Sequence, residues 1–225
     1  MRQLRRAAIA AAVVVALVPA LAALAGCAAP GYTYAADSQD HAFFKVPASW
    51  YQVPAESLAA AQEELLREAP AGASGGAIIW SRAYSAAPDP AAVDLLTSAP
   101  VPIVYASVQQ LRDALRATLS FSEMRDLLFP VTTAGREEAT AEGAKFKGFD
   151  LINASTITTG DGIRGISEIY EYTFNGVPDA FDQTVLTNAA TTKLYLLLVQ
   201  CSQSCFAKYV TQIKAVVESY TVRGS

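Results

Sequence analysis

One histidine, three cysteines and two tryptophans in 225 residues leave several kinds of chemistry short of material. A serine–histidine–acid triad would have to use His41, and no Gly-x-Ser-x-Gly elbow accompanies it. A metal site built on imidazole is excluded for the same reason, so neither metal nor cofactor is expected. Charged residues make up only 17% of the chain and form no basic run, which disfavours nucleic acid as a partner. Long apolar runs are missing everywhere except at the N-terminus.

There, Arg2, Arg5 and Arg6 precede an uncharged stretch of 19 residues from Ala7 to Ala25. That order of basic and apolar segments is a secretion signal. The stretch is nearly long enough to span a bilayer as an uncleaved anchor, but it closes on Leu24-Ala25-Gly26-Cys27. This tetrapeptide resembles the lipobox of bacterial lipoproteins, in which small side chains fit the peptidase groove and the cysteine thiol becomes a thioether to diacylglycerol. Residues 1–26 are therefore expected to be removed and Cys27 to carry the lipid. Each buried CH₂ contributes about 0.8 kcal/mol, so two or more acyl chains hold the protein stably on the outer face of the cell membrane. Loss of residues 1–26 leaves 14 basic and 21 acidic residues, a net charge near −7, and so acidic a body disfavours nucleic acid and anionic lipid head groups as partners.

An oxidising compartment gives the other two cysteines a role. Cys201 and Cys205 can close a disulfide across a strand-to-helix turn, stabilising by the low end of about 0–5 kcal/mol because the loop is short. Free thiols and a two-thiolate metal contact are the alternatives, the latter lacking further ligands.

Residues 27–40 have no clear period and read as a tether, with the folded part, 41–225, beginning near His41. His41 to Val53 reads as two strands about a Pro47 turn. Glu56 to Ala69 has helical spacing and ends at Pro70, and 71–76 is a Gly-rich connector. Ala77 to Ser85 is a strand. Pro88 to Pro102 is a proline-punctuated loop with a helical turn at Ala91 to Leu96. Two S-x-x-Q/E boxes, Ser107 with Gln110 and Ser120 with Glu123, predict helices at Val108–Leu119 and Phe121–Leu128. Beyond Lys145 the chain is β-rich: Phe146–Thr158, Ile163–Phe174, Phe181–Asn188 and Thr192–Gln200, with hairpin signals at Asp161-Gly162 and Asn175-Gly176. The run after Lys193 is apolar at both alternations, which predicts a central strand covered on both faces. A last amphipathic helix spans Phe206 to Tyr220.

Other constellations carry little. Gly160-Asp-Gly162-Ile-Arg-Gly165 has the letters of a dinucleotide loop, but strands flank it where a helix is required. Asn153-Ala-Ser155 is a glycosylation sequon by letters alone. Glu168 shares a strand face with Ile166, Tyr170 and Tyr172 and is expected at the rim, where its carboxylate meets water. Trp50, Tyr51, Trp80 and Tyr84 are expected mainly in packing. If the early strands are neighbours they are also the candidate binding surface, as a contact patch or a groove for an apolar ligand.

The opening Phe44-Lys-Val-Pro-Ala-Ser-Trp50, the β meander and the closing block from Lys193-Leu-Tyr to Ser219-Tyr220 resemble the family that groups the photosystem protein PsbP with the nuclear-transport factor Mog1. Mycobacterial and related actinobacterial lipoproteins look similar. The resemblance covers roughly residues 40–222 and implies an α+β fold: an α/β/α sandwich about a central, mostly antiparallel sheet. It also implies a non-enzymatic role in binding or assembly and carries over no site residues. The expectation is a lipid-anchored, extracytoplasmic module that binds another envelope protein. The alternative is a carrier of a lipid or other apolar small molecule.

Overall fold

The structure is a computed structural model that describes residues 31–68, 76–91, 98–142, 147–174 and 176–224. The described unit runs from Tyr32. Two antiparallel sheets organise it. The small one has the order β1-β2-β10, from β1 (Tyr32–Asp37), β2 (Ala42–Pro47) and β10 (Thr221–Val222). The large one pairs seven strands in the order β3-β4-β5-β9-β8-β7-β6. These are β3 (Tyr51–Gln52), β4 (Gly76–Ser85), β5 (Ile103–Leu111), β6 (Lys147–Thr158), β7 (Arg164–Phe174), β8 (Val177–Thr187) and β9 (Lys193–Ser202). Short helices fill in between: α1 (Ala55–Glu68), α2 (Asp113–Thr118), α3 (Phe121–Arg125), α4 (Thr133–Ala141) and α5 (Gln203–Val217).

Alternation along each strand decides which layer covers which face. On one face of the large sheet Val104, Ala106, Leu197, Val199 and Cys201 pack against Ile213 and Val216 of α5 and against Phe44, Val46 and Trp50. On the other, Ile166, Tyr170, Phe181, Val185 and Leu196 meet Met124 of α3 and Val131. Leu58 of α1 packs on Val53, Ala83 and Ile103 at the far end of that second face. The result is the expected layered α+β arrangement about an antiparallel sheet. β9 is central, with eight consecutive residues from Leu194 to Cys201 buried.

The meander β6 to β9 follows the hairpin signals. Gly162 has φ 84° in the β6–β7 turn, and a Cβ on Gly165 would stand 1.9 Å from the carbonyl oxygen of Val185. The glycines of the dinucleotide-like string thus serve a hairpin and a close strand approach. Gly176, at φ 83°, belongs to the two-residue β7–β8 turn, whose other member, Asn175, lies outside the described residues.

Several expectations are corrected. Tyr32–Asp37 is a strand paired with β2, so residues 32–40 of the tether expected at 27–40 belong to the folded domain, and 27–30 lie outside the described residues. The helix expected at Val108–Leu119 starts later: Val108–Leu111 end β5, which pairs with both β4 and β9, and only Asp113–Thr118 is helical. Val108 and Leu111 extend the helical spacing of Leu115 by coincidence, and the β-branched run at 103–104 draws them into the sheet instead. Ser107 caps nothing, whereas Ser120 and Glu123 form a full capping box on α3. α4 and β10 were not foreseen. The helical turn expected at 91–96 lies outside the described residues apart from Ala91.

Candidate functional site

The aromatic patch does not assemble as a surface. Trp50 and Tyr84 are each only 5% exposed and sit in the core against α5, where the Trp50 indole donates to Gln212 Oε1 at 3.2 Å. Trp80 is half-buried on the same layer, under the Arg82 guanidinium. Of the four, Tyr51 alone is exposed, because β3 is only two residues long and ends the sheet. Cys27 lies outside the described residues. Cys201 and Cys205 are joined by a disulfide, with Cα atoms 5.9 Å apart, where β9 turns into α5. His41 is exposed at the β1–β2 turn with φ 54°.

The open ground lies at the other end of the large sheet. β6 is its last strand, twelve residues long, with ten exposed and two half-buried. One side pairs with β7, and its other backbone edge has no strand beside it among the described residues. An edge like this presents unpaired amides and carbonyls, and natural edges are usually blunted by charge, proline or bulges. β6 has no proline, and its only charges are Lys147 and Asp150 near its start. The run Leu151 to Thr158 is uncharged, with Leu151 39% and Ile152 53% exposed. Its register against β7 slips twice, between Lys147 and Asp150 and between Leu151 and Asn153.

Beside β6, a groove of about 510 Å³ runs between the strand and α3. Ala154, Ser155 and Thr156 form one wall, Phe121, Ser122 and Arg125 the other, and Ile166 and Glu168 line it between them. Glu168 corrects its expected rim position: it is 1% exposed. Arg125 Nε donates to its Oε2 at 2.9 Å and Gln183 Nε2 to its Oε1 at 3.3 Å. The same amide donates to the carbonyls of Met124 and Arg125, both at 3.3 Å, and the Tyr170 hydroxyl donates to Gln183 Oε1 at 3.1 Å. Burial raises the Glu168 carboxyl above the usual range, and Arg125 opposes that rise without cancelling it. This network clamps α3 to the sheet and holds the Arg125 guanidinium at the groove, where it can donate to a carbonyl or carboxylate.

Sequence reasoning placed Glu168 on the right face but missed its depth, since α3 and Arg125 arrive from 43 residues away. The openness of β6 did leave a trace: Asn153 and Ser155 at one alternation and Ala154, Thr156 and Thr158 at the other give it no apolar face.

No family model matches the chain, and no curated protein matches it. Several solved structures are similar in fold. The cyanobacterial PsbP protein CyanoP from Synechocystis sp. PCC 6803 is 14% identical, with 88% of this chain and 95% of that one covered and a TM-score of 0.49. The Ran-binding protein Mog1p of Saccharomyces cerevisiae is 10% identical over 86% and 96%, with a TM-score of 0.43. LpqN of Mycobacterium tuberculosis, described as involved in cell envelope biogenesis, is 14% identical over 88% and 87%, also at 0.43.

Proposed function

We propose that this chain is a lipid-anchored, extracytoplasmic binding module without catalytic activity, and that its β6 edge receives an extended segment of another envelope protein. The carrying observation is the twelve-residue edge strand exposed on both faces beside an open groove. Strand addition supplies affinity through main-chain hydrogen bonds and specificity through pockets for alternate side chains. The groove, with an aromatic wall at Phe121 and a cation at Arg125, supplies such a pocket. The signal pattern and Cys27 support the address, and a disulfide in place at Cys201–Cys205 suits an oxidising compartment.

A second copy of the chain is the other occupant such an edge would take, and the crosslinking outcomes below separate it from a distinct envelope protein. The apolar-carrier alternative draws no support from the second face of the sheet, where Phe129, Tyr170, Phe174 and Phe181 fill the interior with ring centroids 4.9 to 6.5 Å apart.

Photocrosslinking tests the edge. A photoreactive residue at Ile152 is expected to capture one envelope protein, with the adduct lost in Ala154→Lys, while the same probe at exposed Val210 on α5 captures none. Equal capture at both positions, or adducts only between copies of the chain, would overturn the proposal.

A further inference from the structure

The small sheet has an outer face that no described element covers. Its inner side chains, Ala35, Ala42, Phe44, Val46 and Val222, are all buried. The register puts Tyr32, Tyr34 and Ala36 of β1 on the opposite face with Phe43, Lys45 and Pro47 of β2 and Thr221 of β10. Tyr34 is 69% exposed. Lys45 Nζ lies 4.3 Å from the Tyr32 ring centroid, and the Arg223 guanidinium stands 5.8 Å from that of Phe43. In a chain with more acids than bases, this face carries three aromatic rings and two cations, and none of the outward positions of β1, β2 and β10 is a carboxylate: Asp37 points inward, Asp40 is paired with Lys193, and Asp161 beyond the end of β10 accepts from the Gly224 amide.

We infer that this outer face of the β1-β2-β10 sheet lies against the phospholipid bilayer to which the chain is anchored. The inference rests on the lipid anchor at Cys27. Four residues separate Cys27 from Tyr32. At no more than about 3.6 Å per residue, the start of β1 stays within roughly 18 Å of the lipidated sulfur. The covalent chain therefore holds β1 close to the headgroups. Tyrosine rings, apolar in body with a polar tip, favour that interface, and lysine and arginine favour lipid phosphates there. The contact fixes how the domain stands on the membrane.

A nitroxide at Ala36→Cys tests this in the full, lipidated chain, because Cys27 is blocked by lipid and the other two cysteines are paired. The protein is placed on vesicles of phosphatidylglycerol and phosphatidylcholine, and collisions of the label with oxygen and with a water-soluble nickel chelate are compared. The expected result is an interfacial signature at position 36 and an aqueous one for a label at Tyr51→Cys, exposed at the edge of the other sheet. Lys45→Gln with Arg223→Gln is expected to move label 36 toward water, each cation accounting for about fivefold in binding to the anionic surface. An aqueous signature at position 36 in protein that floats with the vesicles and shows the acyl mass on Cys27 overturns the inference and leaves the anchor standing. An unmodified Cys27 in that mass spectrum overturns the anchor, and the orientation falls with it.

Discussion

β9 and β6 belong to the same sheet and are both read from sequence as strands, yet they live in opposite surroundings. β9 is flanked by β5 and β8 and buried from Leu194 to Cys201, whereas β6 pairs on one side only and is exposed along its length. The contrast teaches that position in the sheet, more than strand propensity, decides whether a side chain stabilises the fold or remains available to a partner. Fold stability should concentrate in the first strand and recognition in the second.

The largest break in that contrast is expected from Leu197→Ala. Leu197 is fully buried at the centre of the α5 layer, so the cavity should cost about 4 kcal/mol in denaturant unfolding. Leu151→Ala on β6 should cost less than about 0.5 kcal/mol. Comparable losses would mean that the edge is part of the core.

β8, one strand from the centre, sharpens the comparison through charge. Asp182 is 6% exposed, its Oδ1 has no hydrogen-bond partner among the described residues, and burial pushes its pKa from 3.8 up to about 7. Since the folded-state value lies above the unfolded one, the penalty is absent below about pH 4, grows between pH 4 and 7, and is constant above. Asp182→Asn should accordingly stabilise the protein by about 4 kcal/mol at pH 8 and by nothing at pH 4. An equal effect at both pH values would show that the carboxylate is not desolvated.

Arg125→Met should cost about 2 kcal/mol at neutral pH, because it leaves Glu168 buried opposite no cation. The Glu168 pKa is already raised and rises further in the variant. The loss should shrink as pH falls through that value and the carboxyl takes up a proton. A loss independent of pH would mean that Arg125 acts by packing alone.

These sites differ in how far the sequence revealed them. The burial of β9 could be read from an apolar run at both alternations, and the β6–β7 turn from Asp161-Gly162. β5 could not, because Val108, Leu111, Leu115 and Leu119 satisfy helical spacing equally well, and the choice is made by β4 and β9, which arrive from distant sequence. Trp50 and Tyr84 were visible as large aromatics, but nothing local says that α5, more than a hundred residues on, closes over them. Asp182 lies in a segment that reads as an ordinary strand, and its missing partner is a tertiary fact. β1 was hidden by its small and polar residues, and only its pairing with β2 shows Tyr32 and Tyr34 alternating outward.

The smallest effect on stability should accompany the largest effect on recognition. Ala154 is exposed on β6 and lines the groove, so Ala154→Lys is expected to change unfolding by no more than about 0.5 kcal/mol. Lysine on an edge is nevertheless a natural guard against strand addition, because pairing would bury its charge beside the incoming backbone. Thermal unfolding and photocrosslinking of the same variant should therefore disagree, the first unchanged and the second abolished. If the adduct survives, the partner contacts another surface. If the melting temperature falls with it, β6 contributes to the fold as β9 does, and the division between the two strands is lost.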